Sequence, residues 1–408
     1  VRSGGESPAV VAGVAGASVH SAALTYADDV VPVIIQTNSD IDAAASEVTR
    51  LGGTVSREFH LIPALEATVP KGALLQLGAS EWVVRVSLNA PIATTDGGHQ
   101  DADEDDAAGG SEWASSVFPE VVGADDVWAA GYDGSGVGIA ILDTGLSFSG
   151  TADFRGRVAA RVSVVGPQQD NYGHGTHVAG VAAGDGADSD GEYTGVAPDA
   201  DIIAVKVGDA TGANLGDVVE GLEWVVDHSA KYNIRVVNLS LTSSVPENYL
   251  LSPLNAAVEA VWFSDIVVVV AAGNYGTDAL SVDRAPANDP FVITVGALSD
   301  LGTVQTSDDL LPTWSSRGVT HEGFAKPDVL APGSRLVATV GGERAELLAL
   351  YPDNRIGDHY FRMGGTSAAA PVVSGVVALM LDAHPELTPN EVKARLVAGA
   401  DALAWSDA

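Results

Sequence analysis

No cysteine occurs among the 408 residues, which excludes a disulfide framework, a thiol nucleophile and a thiolate metal site. Base is scarce as well: 20 Lys and Arg stand against 54 Asp and Glu, a formal net charge of -34. The acidic count is ordinary for the length, so what is missing is base. Such a field suits neither nucleic acid nor an anionic membrane. It favours a soluble monomer that resists self-association, with adaptation to high salt as the sharper alternative. Long apolar runs are absent too. The longest strongly apolar stretch, residues 266–272, falls far short of the ~20 residues of a membrane helix and is expected to be a buried strand.

What is present is enough chain for a large core plus a satellite. Residues 1–30 form a lead-in; its Ala/Val/Gly-rich part, residues 8–27, is either the remnant of a secretory leader or a frayed segment, and the former leads to the expectation of a secreted protein. Over residues 31–93 the hydrophobic period alternates between 2 and 3.6. Strands are expected at 31–37, 54–61, 65–69 and 82–88, with helices at 41–51 and 71–77. That β-α-β-β-α-β order is a small α+β unit of ferredoxin-like plan. Residues 94–116 turn to Gly, Ser, Asp and Glu, too polar to fold, and make an acidic linker. From 117 to 408 short Val/Ile-rich strands alternate with amphipathic helices, which argues a doubly wound α/β domain, a mostly parallel sheet with helices on both faces.

Chemistry-bearing residues concentrate in Ile141-Leu142-Asp143-Thr144-Gly145, in Asn171-Tyr172-Gly173-His174-Gly175-Thr176-His177-Val178-Ala179-Gly180 and in Gly364-Gly365-Thr366-Ser367-Ala368-Ala369-Ala370-Pro371. A serine hydroxyl is a weak nucleophile until an imidazole takes its proton and a third group orients that imidazole. Taken singly, Ser367 could be a helix cap, Asp143 a turn residue, and His174 with His177 a metal pair, although no His-Glu-x-x-His pattern is present. Taken together, in the order Asp, His, Ser, the segments resemble the active-site segments of the subtilisin-like serine peptidases.

The resemblance implies Ser367 as nucleophile, His174 as general base, Asp143 as its orienter and Asn274, in Ala271-Ala272-Gly273-Asn274, as oxyanion donor. It implies substrate contacts from Ser240, Leu241 and Thr242 on one side of a groove and Ala271, Ala272 and Gly273 on the other. Thr242 and Ser243 stand where the family usually has two glycines, leaving the preference before the cut open, with an uncharged or hydrophobic side chain as the weak expectation. Residues 31–93 resemble by pattern and position the family's propeptide, an intramolecular inhibitor cut off within the linker. No cofactor is required for the chemistry. Calcium is the family's usual stabilising ion, and Asp185, Asp188, Asp190 and Glu192 form a carboxylate-rich loop that could hold it or could simply be exposed. The expected protein is thus a serine endopeptidase precursor acting on extended polypeptides. A restricted processing peptidase and a catalytically silent binding protein on the same fold are the alternatives. An α/β-hydrolase esterase is disfavoured, because Gly365-Thr366-Ser367-Ala368-Ala369 lacks the elbow's closing glycine.

Overall fold

The computed structural model describes residues 29–38, 40–94, 116–148, 152–342 and 345–402. The lead-in and most of the acidic linker lie outside them.

The first unit runs β1 (Val30–Thr37), α1 (Ile41–Arg50), β2 (Thr54–Phe59), β3 (Ala64–Pro70), a 3-10 turn into α2 (Leu74–Gly78), and β4 (Val83–Leu88). Asp40 caps α1 by accepting from the Ala43 N–H at 2.9 Å. The sheet order is β2-β3-β1-β4, with each neighbouring pair antiparallel, as the expected ferredoxin-like plan requires. Alternation sorts β1 between two cores. Val31, Val33 and Ile35 pack under the unit's own helices with Val48, Leu65 and Leu77. Ile34 faces the other way and joins Phe59, Ile62 and Ala64 in the large core of the second unit.

That second unit is built on seven parallel strands: β6 (Gly138–Asp143), β7 (Val158–Ser163), β8 (Asp201–Lys206), β11 (Ile234–Leu239), β13 (Val267–Ala271), β14 (Ile293–Leu298) and β17 (Val329–Pro332), in the order β17-β14-β13-β11-β6-β8-β7. Strands buried on both faces read as continuous apolar runs; Val267–Ala271 is buried at every position. The principal helices are α3 (His174–Ala183), α4 (Leu215–Tyr232), α5 (Pro253–Trp262), α6 (Thr366–Ala383) and α7 (Pro389–Gly399). Helix α6 is long and apolar enough to cross a membrane by composition, but it is the core helix of this unit, with 78% of that window buried.

The chain lays down β6 first, then places β8 and β7 on one side and β11, β13, β14 and β17 on the other. The order therefore reverses between β6 and β11. A crevice opens beyond the carboxyl ends of the strands at such a switch point. Asp143 ends β6, Ser240 follows β11 and Asn274 lies just past β13.

Between the two units lies an element the periodicity did not reveal. Pro91–Thr94 forms a strand, β5, held in a four-stranded sheet between β12 (Leu241–Ser243) and β10 (Gly212–Asn214), with β9 (Gly208–Asp209) beyond. Thr94 thus belongs to a strand rather than to the start of the linker.

Candidate active site

His174 opens α3, and its Nδ1 lies 2.7 Å from Asp143 Oδ1, with both side chains fully buried. Two glycines make the approach possible. Gly173 has φ of 105°, and a Cβ on Gly175 would lie 2.4 Å from the Gly145 carbonyl oxygen. The pair is fixed from behind by Asp170, four residues before His174. Its carboxylate accepts from Thr144 Oγ1 (3.0 Å), Tyr172 N (3.1 Å), Gly173 N (2.8 Å), Thr176 N (2.9 Å) and Thr176 Oγ1 (2.6 Å). Thr144 Oγ1 in turn accepts from Gly175 N at 2.8 Å. Asp170 therefore ties the turn after Asp143 to the start of the His174 helix. It lies one residue before the Asn171–Gly180 segment, yet nothing in its spacing announced the role.

Ser367 is the second residue of α6 and is buried. Pro371 lies four residues on and has no N–H to give the Ser367 carbonyl. Ser240 fills that place, donating from Oγ to Ser367 O at 2.8 Å. Ser240 is itself held by Asn238 Nδ2 at 2.9 Å. Asn274 Oδ1 accepts from both Thr366 N and Thr366 Oγ1, each at 3.0 Å. Committing the oxygen end to Thr366 turns the amide nitrogen the other way, as a donor beside Ser367 requires. Helix α6 packs against α3. Gly375 makes the close approach, since a Cβ there would lie 2.9 Å from Ala182 O.

His177 is fully buried with Nε2 3.1 Å from the carbonyl oxygens of Leu336 and Phe361. Burial, and secondarily the neighbouring His174, push its pKa down to about 4. It is a structural, neutral imidazole rather than half of a metal pair.

Asp185 faces Arg157 at 3.6 Å and accepts from Ala187 N, while Asp188 accepts from Ala152 N. Asp190 and Glu192 flank the Gly191 turn. Among the described residues no group of three or more His, Cys, Asp or Glu side chains is placed to hold a metal ion. Asp185 and Asp188 thus cap backbone N–H groups.

Of the expected groove residues, Leu241 and Thr242 pair with Thr94 and Ala93 of β5. Ser240 lies under Ser367, and Ala271, Ala272 and Gly273 continue from β13 to Asn274. The second wall, β10, was not foreseen: Ala213 pairs with Ile92 and Asn214 with Pro91. Because β5 is antiparallel to β12, its carboxyl end points from Ser243 toward Ser240 and hence toward Ser367.

A strand-end Asp, a helix-opening His, a helix-opening Ser and an oriented Asn at the switch point of a parallel sheet define the site of a serine peptidase. The profile of the subtilase family matches residues 134–407, and the chain belongs to that family of subtilisin-like serine peptidases. It is 39% identical to serine protease AprX of Bacillus subtilis (strain 168) over 283 residues, 67% of this chain and 63% of that protein, so the match spans less than two thirds of that relative. With subtilisin E of the same organism it shares 31% identity over 368 residues, 88% of this chain and 82% of that one. Among solved structures, a cold adapted subtilisin-like serine proteinase superposes with a TM-score of 0.50 at 28% identity over 65% of this chain and 83% of that one. Fervidolysin from Fervidobacterium pennivorans, a keratinolytic enzyme related to subtilisin, shares the fold with a TM-score of 0.64 at 24% identity over 90% of this chain and 57% of that one.

Proposed function

We propose that this chain is a serine endopeptidase precursor whose first unit is an inhibitory propeptide. Ser367 Oγ attacks the peptide carbonyl carbon while its proton passes to His174 Nε2. Asp143 holds the imidazole and stabilises its cation, and Asn274 Nδ2 with the Ser367 N–H receives the charge developing on the oxygen. The C–N bond then breaks, the proton goes from His174 to the leaving amine, and water releases the acyl group by the same steps in reverse. The observation that carries the reading is β5: a short extended segment, paired on both edges, its end aimed at Ser367. An extended substrate would add a strand in that same place, so the first unit blocks the groove with its own tail. The first bonds beyond Thr94 are the proposed site of self-cleavage, and release outside the cell is the proposed setting. A restricted processing role finds support in the buried side chains of Thr242 and Ser243, which narrow the groove where glycines would leave it open. A peptide-library profile separates it from broad degradation.

The full chain with and without Ser367→Ala, followed by gel, by N-terminal sequencing of fragments and by a fluorophosphonate probe, tests this. Scission just beyond Thr94 together with probe labelling, both lost in the variant, is expected. An intact, unlabelled wild type that stays unlabelled after limited proteolysis of the linker would instead favour the silent scaffold.

A further inference from the structure

Several arginines of this acidic chain, Arg161, Arg235 and Arg317 among them, donate to backbone carbonyls with no carboxylate in ion-pair distance among the described residues. Arg284 is another: among the described residues no carboxylate lies within ion-pair distance of it. Its guanidinium donates from Nη1 to Ser243 O at 3.2 Å and to Ser244 O, and Nε is buried with no partner. It lies over the Tyr275 ring, 3.9 Å from the centroid. Tyr275 follows Asn274 directly and folds back beneath Gly273, where an added Cβ would meet the ring at 3.0 Å. Arg284 therefore spans the gap between the end of β12 on one side and the Gly273–Tyr275 turn on the other. These are the two walls between which the side chain of the residue before the scissile bond would lie. One more polar group lies on the β12 wall. Thr242 is two residues from Ser240, so its side chain shares the strand face that Ser240 turns toward Ser367. Its hydroxyl is buried and unpartnered. A buried hydroxyl and a buried guanidinium Nε, each without a partner, are costly unless a ligand satisfies them.

We infer that Arg284, with Thr242 Oγ1 and Tyr275, forms a carboxylate-accepting floor that makes this peptidase prefer an acidic side chain immediately before the cut. The inference rests on the proposed peptidase reading and departs from the uncharged preference expected from Ala271–Gly273 alone. A guanidinium offers a carboxylate paired donors, whereas the isosteric amide of Gln supplies no charge to match.

Quenched peptides identical except for Glu, Gln or Leu before the scissile bond, with kcat/KM compared as ratios on enzyme released from its propeptide, test this directly. Wild type should favour Glu over Gln by about tenfold or more. Arg284→Gln should bring that ratio to near one, and Arg284→Glu should bring it below one. Each preparation is first titrated with the fluorophosphonate probe. Absence of labelling in wild type would refute the peptidase reading itself. A labelled wild type that cuts the Gln or Leu peptide as well as the Glu peptide would overturn the acidic preference, and so would an Arg284→Gln variant that keeps the wild-type ratio. In those cases Arg284 serves only to staple the Ser243 loop.

Discussion

The interior of the catalytic unit and its boundary with the first unit are held by opposite means. Inside, one carboxylate, Asp170, gathers five hydrogen bonds from a single turn and helix start. At the boundary, one cation is shared among many acids. Arg57 of β2 faces Glu66 at 3.0 Å, Asp217 at 3.2 Å and Glu220 at 2.6 Å, the last two on α4. Around it Glu223 accepts from the backbone of His60 and Leu61, and Gly216 N donates to Asn89 at 2.9 Å. Apart from the buried Gly216–Asn89 bond, these boundary groups are partly exposed, and water can replace their partners when the units part. The groups around Asp170 are buried and have no such substitute. The contrast teaches which contacts are built to persist and which to be given up.

The largest effect should come from breaking the interior. Asp170→Ala strips an acceptor from several buried donors, with an expected loss of about 3–5 kcal/mol in stability, read by denaturant melts. Asp170→Asn, which keeps one acceptor oxygen, should lose less of both stability and kcat, with KM little changed. Removing the oxyanion amide is next: Asn274→Ala should lower kcat by about 10²–10³, roughly 3 kcal/mol, without weakening substrate binding. At the boundary the effect should be smaller and salt-dependent. Arg57→Ala should weaken inhibition by the separately added first unit by about tenfold at low ionic strength and by less in molar salt. If Arg57→Ala inhibits as well as wild type at low salt, the ionic rim is not what holds the units together.

The smallest effect sharpens the same comparison through pH. Glu247 lies beneath the first unit, facing Arg85, whose Nη1 donates to Leu250 O. Burial raises the Glu247 pKa from 4.5 to about 7, with Ser252 and Arg85 opposing the shift. A raised acid favours its protonated form in the folded state. Its contribution to the stability of the folded chain is therefore fully present below about 4.5 and is lost as pH rises through about 7. Stability to denaturant should fall modestly across that window, and Glu247→Gln should flatten the change.

Much of this was legible because burial imposes period. Ile234–Leu239 and Val267–Ala271 announce themselves as buried strands, and β1 to β4 follow their alternation closely. The motif segments carried the chemistry because glycines at 173 and 175 are demanded by close approach, and proline at 371 leaves the Ser367 carbonyl to Ser240. What stayed hidden depends on partners distant in sequence. Pro91–Thr94 is a strand only because Leu241 and Ala213 lie on either side of it, and β7, Val158–Ser163, is an edge strand of half-buried residues with weak alternation. The hydrogen bonds of Asp185 and Asp188 were hidden for a related reason: density of carboxylates in sequence does not say which backbone N–H groups the fold brings to them. Arg284 and Tyr275 are unremarkable in sequence and acquire meaning only where two walls meet.

Because β12 and β10 both pair with β5, a polypeptide in that place commits both of its backbone edges along the paired stretch. A helix has no free edge, and a strand inside a sheet has none to spare. Folded segments are thus excluded whatever their side chains, while loops, termini and unfolded chain are admitted. On a folded protein the rate of cutting would follow how often that protein opens locally, so the groove tests the conformation of a chain before it tests its sequence.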